Sequence, residues 1–152
     1  MSYKEKTIWL TLAIMLVIGY NYLSDLSYLS NNQLLGGGEF GDLLAYTAIC
    51  ITVSVVLAQI ILAIIDHKNA EDMEDERDQQ IELRANRIGY TVLCIAVVGA
   101  VFQSQLTTHF NIAIAVDGLS QADNIVHLII CGLLVAEIAN YGAQVFYYRR
   151  GF

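Results

Sequence analysis

The sequence predicts an all-α membrane protein, a bundle of four transmembrane helices with both termini on the cytoplasmic side. Three observations carry this. The chain has 152 residues, of which 56% are hydrophobic and 15% charged, and its mean hydropathy is +0.51; a soluble domain usually carries about 25% charged residues. Four apolar runs, 7–23, 43–65, 88–102 (or 88–110) and 125–148, approach or reach the roughly 17–25 residues that cross a hydrocarbon core. The eight Lys and Arg fall in three places: Lys4 and Lys6 before the first run, Lys68, Arg77, Arg84 and Arg87 between the second and third, and Arg149 and Arg150 after the fourth. The connectors 24–42 and 103–124 contain no Lys or Arg. The positive-inside rule then places the termini and the central charged segment, a loop-helix over 66–87, in the cytoplasm. Acidic residues count little in that rule, so the net charge of -7 leaves the assignment intact. The expected location is the cytoplasmic (inner) membrane, with residues 1–152 forming one multi-pass domain.

The first run follows "MSYKEK", a charged start that also precedes secretory signals. The stretch "YNYLSDLSYLS" after it is bulky and aromatic and offers no small-residue cleavage site, so helix 1 is expected to be retained. The outer connector "LLGGGEFGD" does not lie between a strand and a helix, as a phosphate-binding loop requires; it reads as a flexible turn into helix 2. With no proline in the chain, none of the helices carries a proline kink. The second outer connector, "QSQLTTHFNIAIAVDGLSQADN", ends in Ser120 and Asp123, the spacing of a capping box opening helix 4. Gly132, Ala136, Ala139 and Ala143 give helix 4 small positions for close helix approach. Trp9, Tyr90, Tyr147 and Tyr148 are expected in the inner interfacial belt, and Tyr20, Tyr22, Tyr28 and Tyr46 in the outer one. Cys50, Cys94 and Cys131 lack CxxC spacing and read as small buried hydrophobes.

Charge is dense only in "EDERDQQIELRANRIGY", residues 74–90. Over 66–87 there are eight acids against four bases. At about 100° per residue, Arg77, Gln80, Arg84 and Arg87 share one side, with Ile81 and Ile88 beside them. Asp75, Asp78 and Glu82 take the other. No acid stands three or four positions from Arg84 or Arg87 on their own helix, the spacing that intrahelical ion pairs need. Their counter-ions are therefore sought in anionic inner-leaflet lipids, on another helix or protomer, or on a cytoplasmic protein.

The stretch "DERDQQIELRANRIGY" and the closing "YYRRG" resemble a family of small prokaryotic four-helix membrane proteins, a domain of unknown function. The resemblance falls on Asp75, Glu76, Arg77, Asp78, Ile81, Arg84, Ala85, Arg87 and Tyr90, then on Tyr148, Arg149, Arg150 and Gly151. It implies no assigned enzymatic activity. Some members are encoded beside small helix-turn-helix regulators, which favours a regulatory or partner-binding role.

The second unusual feature is a polar stripe on helix 4. His127, Glu137, Tyr141, Gln144 and Tyr148 lie within about 100° of arc, with Asn140 just beyond. A charge near mid-membrane costs at least about 2.5 kcal/mol on insertion scales, so Glu137 is expected to face the bundle interior, paired or protonated. Three uses remain open: an ion or proton site, a hydrogen-bonding seam between helices, and a lipid or small-ligand contact. His127 and Glu137 stand about 15 Å apart along the axis, too far for a direct pair. Gln59 of helix 2 is placed to meet Gln144.

HExxH, GxSxG and metal-ligand spacings are absent, so no catalytic residue, metal or cofactor is expected, nor direct nucleic-acid binding. Four short helices bury little surface in one another, and a homo-oligomer is expected. Two functions compete: a non-enzymatic membrane protein whose charged segment docks a cytoplasmic protein such as a small helix-turn-helix regulator, and a small channel or proton-coupled transporter using Glu137.

Overall fold

The computed structural model describes residues 3–35, 38–65, 76–110 and 116–150. They form four helices: α1 (Tyr3–Asn31), α2 (Glu39–Ile65), α3 (Glu76–Phe110) and α4 (Gln121–Arg150). All four are long and apolar enough to cross a membrane, and no strand occurs among the described residues. At 1.5 Å per residue the 35 residues of α3 run about 52 Å, some 20 Å longer than a hydrocarbon core. The surplus is the charged stretch: residues 76–87 are not a separate loop-helix but the opening turns of α3. Residues 66–75, including Asp75 and Lys68, lie outside the described residues.

The helices lie side by side in the order α2, α1, α4, α3, with α4 against α3 the most extensive interface. That interface is made by small residues. Gly132 of α4 sits against Ala96 of α3, and Gly89 of α3 sits against Asn140 and the Ala136 carbonyl of α4. Ala85 and Ala100 are also buried on α3, and Ala136 on α4. Without bulky side chains between them the backbones approach closely, and dispersion along the contact replaces the hydrophobic drive that lipid does not supply.

At the end where α1 runs into α2, side chains form a core of Tyr22, Leu26, Leu35, Phe40, Leu43 and Leu134. Helix α1 stops there in a Schellman-type turn: Gln33 adopts φ 57°, its N–H donates to the Ser30 carbonyl, and Leu34 N–H donates to Leu29. Leu35 then folds back into the core. Gly38, at φ 100°, makes the left-handed turn into α2 that a side chain would strain. The two connectors at this end are tied by Ser30 Oγ, which donates to the Asp117 carbonyl (2.9 Å). Helix α4 opens on a reciprocal cap: Asp123 N–H donates to Ser120 Oγ (3.2 Å), and Ser120 Oγ donates to the Asp123 carboxylate (2.6 Å).

Three expectations are corrected. Tyr22 does not belong to the outer belt: at 1% exposure it is among the most buried large side chains. Tyr20, Tyr28 and Tyr46 are the exposed ones at that end. The cysteines are free, but Cys94 of α3 is exposed and Cys50 of α2 half-buried, because those helices turn part of their apolar circumference outward, and Cys131 of α4 is half-buried against the core. Gln59 does not meet Gln144. It lies on the exposed side of α2, which packs chiefly on α1.

Candidate functional site

Two places gather the polar residues, and α4 reaches both. The first is the end of the bundle where α1 and α3 begin and α4 finishes. Every Lys and Arg among the described residues belongs to these segments. Here the opening turns of α3 are clamped from two sides. Tyr148 of α4 donates its hydroxyl to Asp78 Oδ1 (2.7 Å), and Lys4 of α1 pairs with Glu82 (3.0 Å). Ile81 and Ala85 are buried at 2% and 0% exposure, so α3 packs through its 78, 81, 82, 85 and 89 face. Helical spacing puts Ile81 beside the basic stripe, on a side free to rest against lipid or another helix; Ile81 does pack, but the arginines do not go in with it. Instead the acidic side turns inward together with Ile81, since its partners, Lys4 and Tyr148, stand on neighbouring helices where intrahelical spacing does not reveal them.

What this leaves outward is basic. Arg77, Gln80, Arg84 and Arg87 are exposed, with Leu83 at 69% exposure among them and Ile88 at 38%. Glu76 is exposed at the first position of the helix, where an acid complements the helix dipole. Arg149 and Arg150 do not join this surface as simple cations. Arg149 lies over the Trp9 ring (5.4 Å) and Arg150 over Phe146 (4.8 Å), contacts that pin the end of α4 to α1 and to itself.

The second place is a groove between α2 and α4, floored by α1. Its cavity measures about 340 Å³ and its lining includes Met15, Leu44, Thr47, Ile51, Leu133 and Tyr141, together with Glu137. Glu137 is exposed in this groove rather than enclosed by the bundle, a correction with a geometric reason. Because α2 leans on α1, the gap beside α4 stays open at the position of Glu137. Among the described residues no hydrogen bond or ion pair engages its carboxylate.

The stripe on α4 is therefore not one continuous seam. His127 accepts or donates at Nδ1 to the Tyr22 hydroxyl (2.8 Å), and their rings stack at 5.8 Å, joining α4 to α1. Gln144, buried, donates to Asn140 Oδ1 within α4 (3.0 Å), and Asn140 packs on Gly89 of α3. Tyr148 bonds α3. Only Glu137 and Tyr141 remain to face the groove.

Four apolar helices that gather their cations at one end, with a match that spans them all, decide the relationship. The chain belongs to the DUF2178 family of predicted membrane proteins. The family model matches residues 4–152 and so takes in both the clamped charged end and the groove. Comparison with curated proteins and with solved structures gave no match.

Within this DUF2178 chain no group of three or more His, Cys, Asp or Glu able to hold a metal ion occurs among the described residues. Several residues that build the two places were not singled out by sequence: Lys4 and Glu82 as an interhelix pair, Tyr22 as the partner of His127, and Met15 and Thr47 as groove lining. A signal for Tyr22 was present. The buried positions of α1, Ile8, Thr11, Met15, Gly19, Tyr22 and Leu26, recur every three or four residues, so a helical period assigns Tyr22 to the packed face.

Proposed function

We propose that this DUF2178 protein is a non-enzymatic membrane protein that acts through a partner, docked on the outward basic face of α3. In this reading the basic end lies in the cytoplasm, as the positive-inside rule places it, in the inner membrane of a prokaryote. The partner is a soluble protein with an acidic recognition surface; a small helix-turn-helix regulator held at the membrane fits the setting that the family resemblance implies. The observation that carries the reading is the clamp. Asp78 and Glu82 are spent on Tyr148 and Lys4, so a rigid helix presents Arg77, Arg84 and Arg87 around exposed Leu83. Arginine around an apolar centre is the composition of an interface.

The test is capture of soluble cytoplasmic protein by the purified chain in vesicles, compared with the Arg77→Ala, Arg84→Ala, Arg87→Ala triple variant. A protein partner should be lost by about ten-fold or more, since several desolvated charge pairs are removed. The loss should be the same in vesicles with and without anionic lipid. Equal recovery from both chains removes the reading. Loss of anionic-vesicle binding alone assigns the face to lipid headgroups instead.

One observation favours a second reading, that of a small channel or proton-coupled transporter: Glu137 stands in an open groove instead of inside a packed seam. Its test is flux. Reconstituted protein should conduct protons or ions above the level of empty vesicles, and Glu137→Gln should return the flux to that level. Flux unchanged by the substitution dismisses this reading.

A further inference from the structure

The walls around Glu137 are almost entirely hydrocarbon, and no Lys, Arg or His is among them. Thr47, which also lines the groove, already donates its hydroxyl hydrogen to the Leu43 carbonyl of its own helix (2.8 Å), which leaves Tyr141 as the hydroxyl donor of the groove. A carboxylate so placed in a membrane is costly when ionised, by at least about 2.5 kcal/mol at the helix centre. The groove thus combines apolar surface with one uncompensated acid, and each feature restricts what fits.

An anion is repelled. A neutral lipid chain covers the walls but fits the acid only when it is protonated, and leaves an ionised carboxylate unanswered. A calcium ion requires six to eight oxygen ligands, whereas the groove offers one carboxylate and one phenol. A ligand with apolar groups around a single positive charge answers both features, and the Tyr141 ring adds a face that cations favour. The cavity, about 340 Å³, lies in the range of small-molecule sites, and its open side lies between two membrane-spanning helices, so entry is from the hydrocarbon.

We propose that the α1–α2–α4 groove binds a lipophilic organic monocation, with the Glu137 carboxylate as its counter-ion. The site is the one on which the transport reading rests, and the proposal adds the chemical class of its ligand. Binding needs no flux, so the two are separable.

The test uses the full-length chain in a nonionic detergent and labelled tetraphenylphosphonium as the probe, measured by equilibrium dialysis. One saturable site per chain is expected. Glu137→Gln, which keeps the shape of the side chain, should weaken binding by about ten-fold or more, the loss expected on removing one member of a desolvated charge pair. Tetraphenylborate, the same shape with opposite charge, should not compete. Ala48→Phe, which fills the groove from α2 and leaves the acid in place, should weaken binding as well. Circular dichroism and size-exclusion elution confirm that each variant is folded. The proposal is overturned by absence of saturable binding to the folded wild type, by equal binding to Glu137→Gln, or by equal competition from tetraphenylborate. It is also overturned if Ala48→Phe breaks a dimer while cation binding is unchanged, because the groove is then covered by a second copy. Saturable, Glu137-dependent binding without flux supports the proposal and dismisses transport; proton flux without cation binding does the reverse.

Discussion

Gly132→Ala is expected to destabilise the α3–α4 pair by about 1–3 kcal/mol, and adding Ala96→Gly to the same chain is expected to recover most of the loss. The reason is local. A Cβ on Gly132 would run into the Cβ of Ala96, and that methyl group sits on the helix backbone and has no rotamer with which to retreat. The helices must move apart instead. Separation weakens every other contact of the interface, including Gly89 against Asn140 and the Ala136 carbonyl, and dispersion falls steeply with distance. Gly132→Leu should be worse than alanine and beyond rescue by Ala96→Gly. Gly99→Ala is the control: nothing lies within 4 Å of its Cβ position, so stability should hold or rise slightly through helix propensity. The measurement is the midpoint of thermal or SDS unfolding, followed by circular dichroism in detergent. Equal midpoints for Gly132→Ala and Gly99→Ala would show that α3 and α4 are not held by this contact.

The four helices were legible because a membrane makes length the main variable. A run of some twenty apolar residues has one use in such a chain, and the runs in α1, α2 and α4 announce themselves. The start of α3 did not, because its opening turns are charged and a hydropathy scan stops at Ile88. Its helical nature showed only in the two-sided arrangement of charge, and that arrangement did not say which side packs. Lys4 and Tyr148, which draw the acidic side inward, are 78 and 70 residues from their partners in sequence, well beyond any helical spacing.

The site was legible in its parts and not in its arrangement. Each polar residue of the α4 stripe was found from the sequence, and a helical wheel put them on one side. A wheel describes a lone helix, however. Which sector meets α1, which meets α3 and which meets neither depends on the lateral order α2, α1, α4, α3, a property of the assembled bundle. Glu137 shows the consequence. The cost of a charge in hydrocarbon argued for the interior, yet the position falls in the sector that α2 leaves open. The same cost now bears on what occupies the groove.

The second large effect concerns orientation, and it is expected to be all-or-none. In intact cells a membrane-impermeant maleimide should label Asn31→Cys, at the connector end, and leave Gln80→Cys unlabelled until the membrane is permeabilised. Both positions are exposed and stand at opposite ends of the bundle, and the native cysteines are replaced by serine so that only the introduced thiols report. The expected pattern follows from the distribution of cations: eight at one end by sequence, and none in the connectors at the other. Pairing does not cancel their weight. Lys4 lies beside Glu82, but the two meet only after α1 and α3 have inserted and packed, whereas orientation is settled by the cations flanking each span during insertion. Carrying one cation outward against an inside-negative potential costs about 2.3 kcal/mol per 100 mV, and Lys4 and Lys6 together cost about twice that. Acids at the connector end, among them Asp25, Glu39, Asp42, Asp117 and Asp123, face no such barrier. Labelling of Gln80→Cys in intact cells would invert the bundle and place the α3 basic face outside, out of reach of any cytoplasmic partner. Labelling of both positions would mean that the chain inserts in two orientations, in spite of its charge asymmetry.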